Sequence, residues 1–457
     1  MAILEKKTQE TAIIDKLRVM WTILKNNIFR VLTTVILLSL GGWTFYHNWM
    51  QRPVRFDNYT YSDEEAERLK NYPKALYAHG LNAWARQDSE VAARFFRQAV
   101  SEDILFIDGW IRLAEAESEM GRKEKAKNIL TFTIDHTKRV SRWKWPQMLL
   151  ARELGMDEVI YSNANSLLSC GILEQDTLQF LHTHLGGNAS AVVSALDEEH
   201  LDEYLDWLMN WSMTEESLTV WRTMTALSTP ENETALRYAN FLLHNKHITE
   251  SSDIWQKYTG IVGMMNPGFE FELTSMGFDW CYWKDKDGIF EVMRVNHDAW
   301  EGDYALRVDF RGRENIAFYH VFQIITADPQ AKYRLTYAWK SQGITTDQGP
   351  FIEIYGYLKE GLYKAGPMIT GTQGWREVSI EFEMPEGCQA AVVRLRRRPS
   401  SRFDSKIRGS LWLDDFRLEK IGKDKKHFSS ERSTPRFNLE FMQNKNLYLS
   451  ARQLNGK

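Results

Sequence analysis

Beyond Gly260 the apolar residues of this chain recur at every second position, whereas before it they recur at every third and fourth. A two-residue period suits a strand with one buried face, and the longer period suits a helix with one buried stripe. The change of period therefore sets an order, with helices first and an antiparallel β domain after them. The runs Tyr304-Ala-Leu-Arg-Val-Asp-Phe310, Tyr333-Arg-Leu-Thr-Tyr-Ala-Trp339, Phe351-Ile-Glu-Ile-Tyr-Gly-Tyr357 and Ala391-Val-Val-Arg-Leu-Arg396 carry the alternation. Turn signals at Asp328-Pro329, Gly349-Pro350, Gly366-Pro367 and Pro385-Glu-Gly387 separate such runs. Short strands with no helices between them predict a sandwich rather than a parallel sheet.

At 457 residues the chain is too long for one core, so several domains are expected. Residues 59–260 read as helices with few prolines. With Leu76 as a reference, Gly80, Ala92, Phe96 and Ala99 fall where small and aromatic residues pack two helices together. Counting 34 residues on (110 − 76 = 34) reaches Trp110, with Leu113, Ala114, Ala126 and Leu130 in the corresponding places. Tyr238, Ala239, Leu242, Trp255 and Tyr258 fit one more unit. This spacing resembles the tetratricopeptide family. The resemblance implies an all-α solenoid that scaffolds envelope or polysaccharide-export proteins; a generic helical bundle is the alternative.

The β region, residues 264–420, opens with Asn266-Pro-Gly-Phe-Glu270 and continues through Phe278-Asp-Trp280 and Gly302-Asp-Tyr304. It closes with Gly374-Trp-Arg376 and Leu411-Trp-Leu-Asp-Asp-Phe416. These motifs are similar to those of carbohydrate-binding modules of the 4/9/22 type, which share the galactose-binding-like, all-β antiparallel jelly-roll sandwich. The resemblance implies a structural calcium held by Glu270 and Asp415, since hard oxygens suit that ion. Pairing of these carboxylates with nearby arginines is the alternative. It also implies sugar contacts, with Trp280, Trp283, Trp339, Tyr355 and Arg394 as candidates by position: rings offer flat apolar faces and an arginine fixes hydroxyls. Arg394 and Arg396 share one strand face, and with Arg397, Arg398 and Arg402 they form a basic edge suited to an acidic polysaccharide or a partner protein.

Residues 28–50 form the expected transmembrane helix, built on the uncharged run 31–46 with Trp43, Tyr46 and Trp49 at its far end. Lys6, Lys7, Lys16, Arg18, Lys25 and Arg30 precede it, which makes residues 1–27 a cytoplasmic, basic and amphipathic segment. The bulk of the chain then lies in the periplasm or outside the cell, anchored once in the inner membrane. A cleaved signal peptide is the competing reading, but no Ala-x-Ala site follows the apolar run. Residues 421–457 read as a flexible, mildly basic tail. Of the cysteines, Cys281 and Cys388 fall in the β region, where they are either bridged or free buried thiols.

A net charge of −4 gives no reason to expect nucleic acid. No nucleophile–base signature and no paired acids in a glycosidase setting are present, so an enzyme is not expected. The expectation is a membrane-anchored scaffold and carbohydrate-binding accessory protein of exopolysaccharide synthesis and export. An assembly protein whose sandwich binds protein instead of sugar is the runner-up.

Overall fold

The computed structural model describes residues 33–45, 72–285, 287–403 and 405–422. They form helices followed by two antiparallel sheets, and they divide into two compact units, one ending at His200 and the other starting at Leu201.

Within the first unit, helix α1 covers residues 33–45 and its apolar side chains are exposed along its length. Among the described residues no helix is long and apolar enough to cross a membrane. The remainder of the expected span 28–50 lies outside the described residues, as do segment 1–27 and the tail beyond 422. Three helix hairpins follow: α2 (Pro73–Ala85) with α3 (Ser89–Glu102), α4 (Ile107–Glu119) with α5 (Lys123–His136), and α6 (Lys144–Leu154) with α7 (Asp157–Ser169). Helices α8 (Glu174–His184) and α9 (Ala189–Ala195) complete the unit.

The first two hairpins keep the 34-residue offset at both helices, since 107 − 73 and 123 − 89 are both 34. The packing explains it. Gly80 of α2 lies against the Phe96 ring of α3, so close that an added methyl would sit 2.4 Å from Phe96 Cε1. Ala92, Phe96 and Ala99 are buried on the facing stripe, and Ala114, Ala126 and Leu130 repeat this in the next hairpin. Asp88 stops α3 from fraying by accepting the Val91 N–H at 3.0 Å. Gly121 and Gly155 end α4 and α6 with a left-handed φ, a conformation that only glycine adopts without strain.

In the second unit, helices α10 (Leu201–Asn210), α11 (Thr214–Leu227), α12 (Asn232–His244) and α13 (Ile248–Thr259) precede the sandwich. Sheet A has strand order β1-β4-β9-β6-β7, with β1 Cys281–Tyr282, β4 Phe318–Thr326, β9 Ala390–Arg397, β6 Phe351–Gly356 and β7 Tyr363–Ala365. Sheet B has order β2-β3-β10-β5-β8, with β2 Phe290–Val295, β3 Ala305–Arg311, β10 Arg408–Ile421, β5 Lys332–Ile344 and β8 Gly371–Glu383. The core lies between the sheets. Leu306, Val308, Leu335, Tyr337, Leu411 and Leu413 of sheet B meet Val321, Ile352, Ile354, Val393 and Leu395 of sheet A. Each of these belongs to an alternating run in the sequence, and the alternation buries one side of each sheet while leaving the other uncovered by this core.

Candidate functional site

The side of sheet A turned away from the core collects rings, cations and one carboxylate. Val393 and Leu395 face inward on β9, so Arg394 and Arg396 face outward; on β6, Ile352 and Ile354 face inward and Phe351, Glu353 and Tyr355 outward. Strand register then aligns Cys281, Phe322, Arg394, Glu353 and Ala365 as one rung across all five strands. A neighbouring rung places Val392, Tyr355 and Tyr363 side by side.

Arg394 donates to Glu353 Oε1 from Nε at 2.7 Å and from Nη2 at 2.5 Å, and its guanidinium lies 4.5 Å from the Tyr355 ring centre. Tyr363 donates its hydroxyl hydrogen to Glu353 Oε2 at 3.2 Å and accepts an N–H from Arg398 at 2.7 Å. Burial raises the Tyr355 phenol above its ordinary range; Arg394 acts against that rise and Glu353 adds to it. Toward the β1 edge, Trp283 packs edge-on to Tyr319 and Phe322 with centroids 5.7 and 5.6 Å away. Arg396 stands over Tyr319 at 5.6 Å. Trp283 is 48% and Tyr363 51% exposed, so the face carries ring surface open to a ligand at both of its edges. Arginines held against rings and a carboxylate are fixed in direction, which suits recognition of hydroxyl or carboxylate groups.

The expected sugar-contacting residues separate into two groups. Trp283, Tyr355 and Arg394 stand on this face together. Trp280 and Trp339 do not: Trp280 is 1% exposed between Phe269 and Phe416, and Trp339 belongs to the core between the sheets. Neither can stack on a ligand. Burial also removes Arg397 from the expected basic edge. Its guanidinium is fully buried and donates to Gln348 O, Asn315 Oδ1, Ile316 O and Ser405 O, which ties three loops to the end of β9. Arg402 pairs with Asp347 at 3.2 Å and keeps its side chain exposed. Tyr319, Phe322, Glu353 and Tyr363 were not among the candidates; alternation places Glu353 beside Tyr355, whereas Tyr319 and Phe322, three residues apart, reach one face through the irregularity of β4 between Phe318 and Val321.

The two expected calcium ligands are placed differently. Glu270 Oε1 accepts the backbone N–H groups of Asp303 and Tyr304 at 3.0 and 3.2 Å. Asp415 pairs with Arg417 Nε at 3.1 Å, so it is committed to an arginine. Its neighbour Asp414 is the fully buried carboxylate, accepting N–H groups from Trp300, Glu301 and Asp415. Burial raises the Asp414 pKa to about 6. Glu270 and Asp414 both border Gly268, each with an oxygen within 3.8 Å of where a Cβ would stand there. Among the described residues no three or more His, Cys, Asp or Glu side chains gather as a metal cluster. Cys281 and Cys388 are free thiols.

No protein-family model matches the chain, and no curated protein matches it. Solved structures similar to it include the module TmCBM61 in complex with beta-1,4-galactotriose (18% identity, TM-score 0.25, 35% of this chain and 97% of that chain). The CBM22-1 xylan-binding domain of Xyn10C from Paenibacillus barcinonensis is another (15% identity, TM-score 0.23, 34% and 93%). A third is the Stig cyclase Fisc from Fischerella sp. TAU (16% identity, TM-score 0.25, 36% and 99%). At these identities and scores the likeness carries no argument about a ligand.

Proposed function

We propose that this chain is a non-enzymatic, membrane-anchored accessory protein of exopolysaccharide or cell-envelope polysaccharide synthesis and export. In this reading the sandwich holds a glycan chain across the outer face of sheet A. One observation carries it: Trp283, Tyr319 and Tyr363 keep exposed ring surface on a single sheet face, interleaved with Arg394 and Arg396. Flat rings match the apolar faces of pyranoses, and the fixed guanidinium groups match hydroxyls or uronate carboxylates. The helical hairpins, tetratricopeptide-like in their 34-residue offset, serve as a scaffold for envelope or export proteins, and residues 28–50 anchor the chain.

Affinity electrophoresis of the full chain through gels containing neutral or acidic polysaccharides tests the sugar reading. Retardation that disappears in Trp283→Ala and Tyr319→Ala, with the thermal midpoint unchanged, supports it. No retardation by any polymer favours the second reading, in which Arg396 and Arg398 beside Tyr319 and Phe351 receive an acidic protein segment.

A structural calcium belongs to the same proposal, with Asp414 in place of Asp415 beside Glu270. The fit is that of a buried carboxylate, Asp414, beside a second carboxylate, Glu270, with an oxygen of each within 3.8 Å of where a Cβ would stand on Gly268. Chelation should lower the thermal midpoint of the wild type and leave that of Glu270→Gln unchanged; a wild type insensitive to chelator refutes the site.

A further inference from the structure

The first unit exposes its large apolar side chains in one class of position. Between residues 72 and 200 the exposed large hydrophobic residues are Ile104, Leu105, Val140, Ile172 and Leu173. All five lie in the turns that join one helix hairpin to the next, at 103–106, 137–143 and 170–173. The turns inside the hairpins, at 86–88, 120–122 and 155–156, carry none of them, and neither do the helix faces. In a stack of antiparallel helices, joining turns and internal turns emerge at opposite edges. One edge is therefore studded with aliphatic tips.

The first two joining turns are tied together. Trp143 donates its indole N–H to Asp108 Oδ1 at 3.0 Å, and Arg142 donates to Asp108 Oδ2 at 3.2 Å, which ties the second turn to the residues just after the first. Leu105 is 74% and Ile104 60% exposed. Leu173 holds a φ of 53°, a left-handed conformation seldom taken by leucine. The tips stand on exposed turns, and Lys138, Arg139 and Arg142 flank Val140 in the chain, with Lys138 paired to Asp135 and Arg142 to Asp108 by solvent-exposed ion pairs. Aliphatic side chains on exposed turns with cations and a tryptophan between them suit a deformable apolar medium under a phosphate layer. The same unit also carries α1, a helix with exposed apolar side chains.

We propose that the edge formed by these three joining turns docks on a lipid bilayer. Ile104, Leu105 and Leu173 enter the headgroup layer, and Lys138, Arg139 and Arg142 meet lipid phosphates. The edge would thus fix the orientation of the helical unit on the membrane, separately from any anchor and from the glycan reading.

The test uses the full chain with Cys170→Ser and Cys281→Ser, labelled with a polarity-sensitive fluorophore at Leu105→Cys or at Arg86→Cys. Both variants are mixed with vesicles of equimolar phosphatidylcholine and phosphatidylglycerol. The expected result is a blue shift at position 105 and none at position 86, although an anchor elsewhere in the chain would carry both labels to the vesicles equally. Reversing Lys138 and Arg139 to glutamate, which leaves the Arg142–Asp108 tie in place, should raise the lipid concentration for half-maximal shift at least about tenfold. Equal shifts at both positions, or no shift at 105 while the protein sediments with the vesicles, overturn the proposal. So does a shift at 105 that grows with protein concentration in the absence of lipid, which would mark a protein partner.

Discussion

Asn240 Oδ1 accepts the backbone N–H of Gly277 at 2.8 Å, a buried bond from α12 to the turn that opens the sandwich. Beside it, Trp255 packs against Phe278 with centroids 5.9 Å apart, and the Tyr357 hydroxyl donates to Leu243 O at 3.3 Å. Helices α12 and α13 thus share buried contacts with the β domain. Asn240→Ala leaves the Gly277 N–H buried and unpaired, which costs about 1–3 kcal/mol. Gly277→Ala places a methyl 2.2 Å from the Trp255 ring at a positive φ, and should cost at least as much. In urea, the loss of helix between 201 and 260 should coincide with unfolding of the sandwich; hydrogen exchange that releases α12 well before the strands would refute the coupling.

Two tryptophans three residues apart should respond in opposite ways. Trp280→Ala opens a cavity between Phe269 and Phe416 and is expected to cost about 3–5 kcal/mol. Trp283→Ala trims an exposed ring and should shift stability by less than about 0.5 kcal/mol. Chemical denaturation of both variants checks this, and equal losses would mean that Trp283 is a core residue.

Asp279 gives the second unit a pH signature. Its carboxyl is fully buried; it accepts N–H bonds from Thr274 and Trp280 and the Thr274 hydroxyl, yet burial outweighs these bonds and raises its pKa from 3.8 to about 6. The folded state then binds a proton more tightly than the unfolded state. Stability from this group is therefore present below about pH 4 and is lost as pH rises through about 6, on the order of 2–3 kcal/mol. Asp279→Asn should flatten the slope of unfolding free energy between pH 4 and pH 6, and an unchanged slope would assign it to other groups.

The Gly80–Phe96 contact explains the small residue of the first hairpin and is open to a double-mutant cycle. Gly80→Ala should cost about 1–3 kcal/mol through overlap with the ring. Phe96→Leu should restore part of that loss, with a coupling of about 0.5–3 kcal/mol. Additive effects would place the clash elsewhere.

Much of this was legible from the residues alone. The switch of period after Gly260 located the sandwich, and the 34-residue spacing located two hairpins, because burial on one side imposes those repeats. Alternation also carried information about facing. In Tyr333-x-Leu-x-Tyr-x-Trp339 the fourth residue must share the side of Leu335, so Trp339 is core, and the same parity puts Arg394 and Arg396 outside. Trp280 precedes β1 in a turn, where no parity applies, and its burial depends on Phe269 and Phe416 from distant positions. Arg397 falls on the inward parity, but a buried guanidinium needs acceptors, and these come from loops at 315–316, 348 and 405 that no local pattern brings together. Asp414 and Asp415 are adjacent and chemically alike, and only the fold decides which of them meets Arg417.

Sheet A ends in strands of two and three residues, β1 and β7. An edge that short offers too few unpaired backbone groups to recruit a strand from another molecule. Under the proposed glycan role, copies of the chain could therefore be crowded side by side along one polymer through this sheet without fusing into an extended β-structure at its edges. A multivalent array held by glycan alone would disassemble when the glycan is removed.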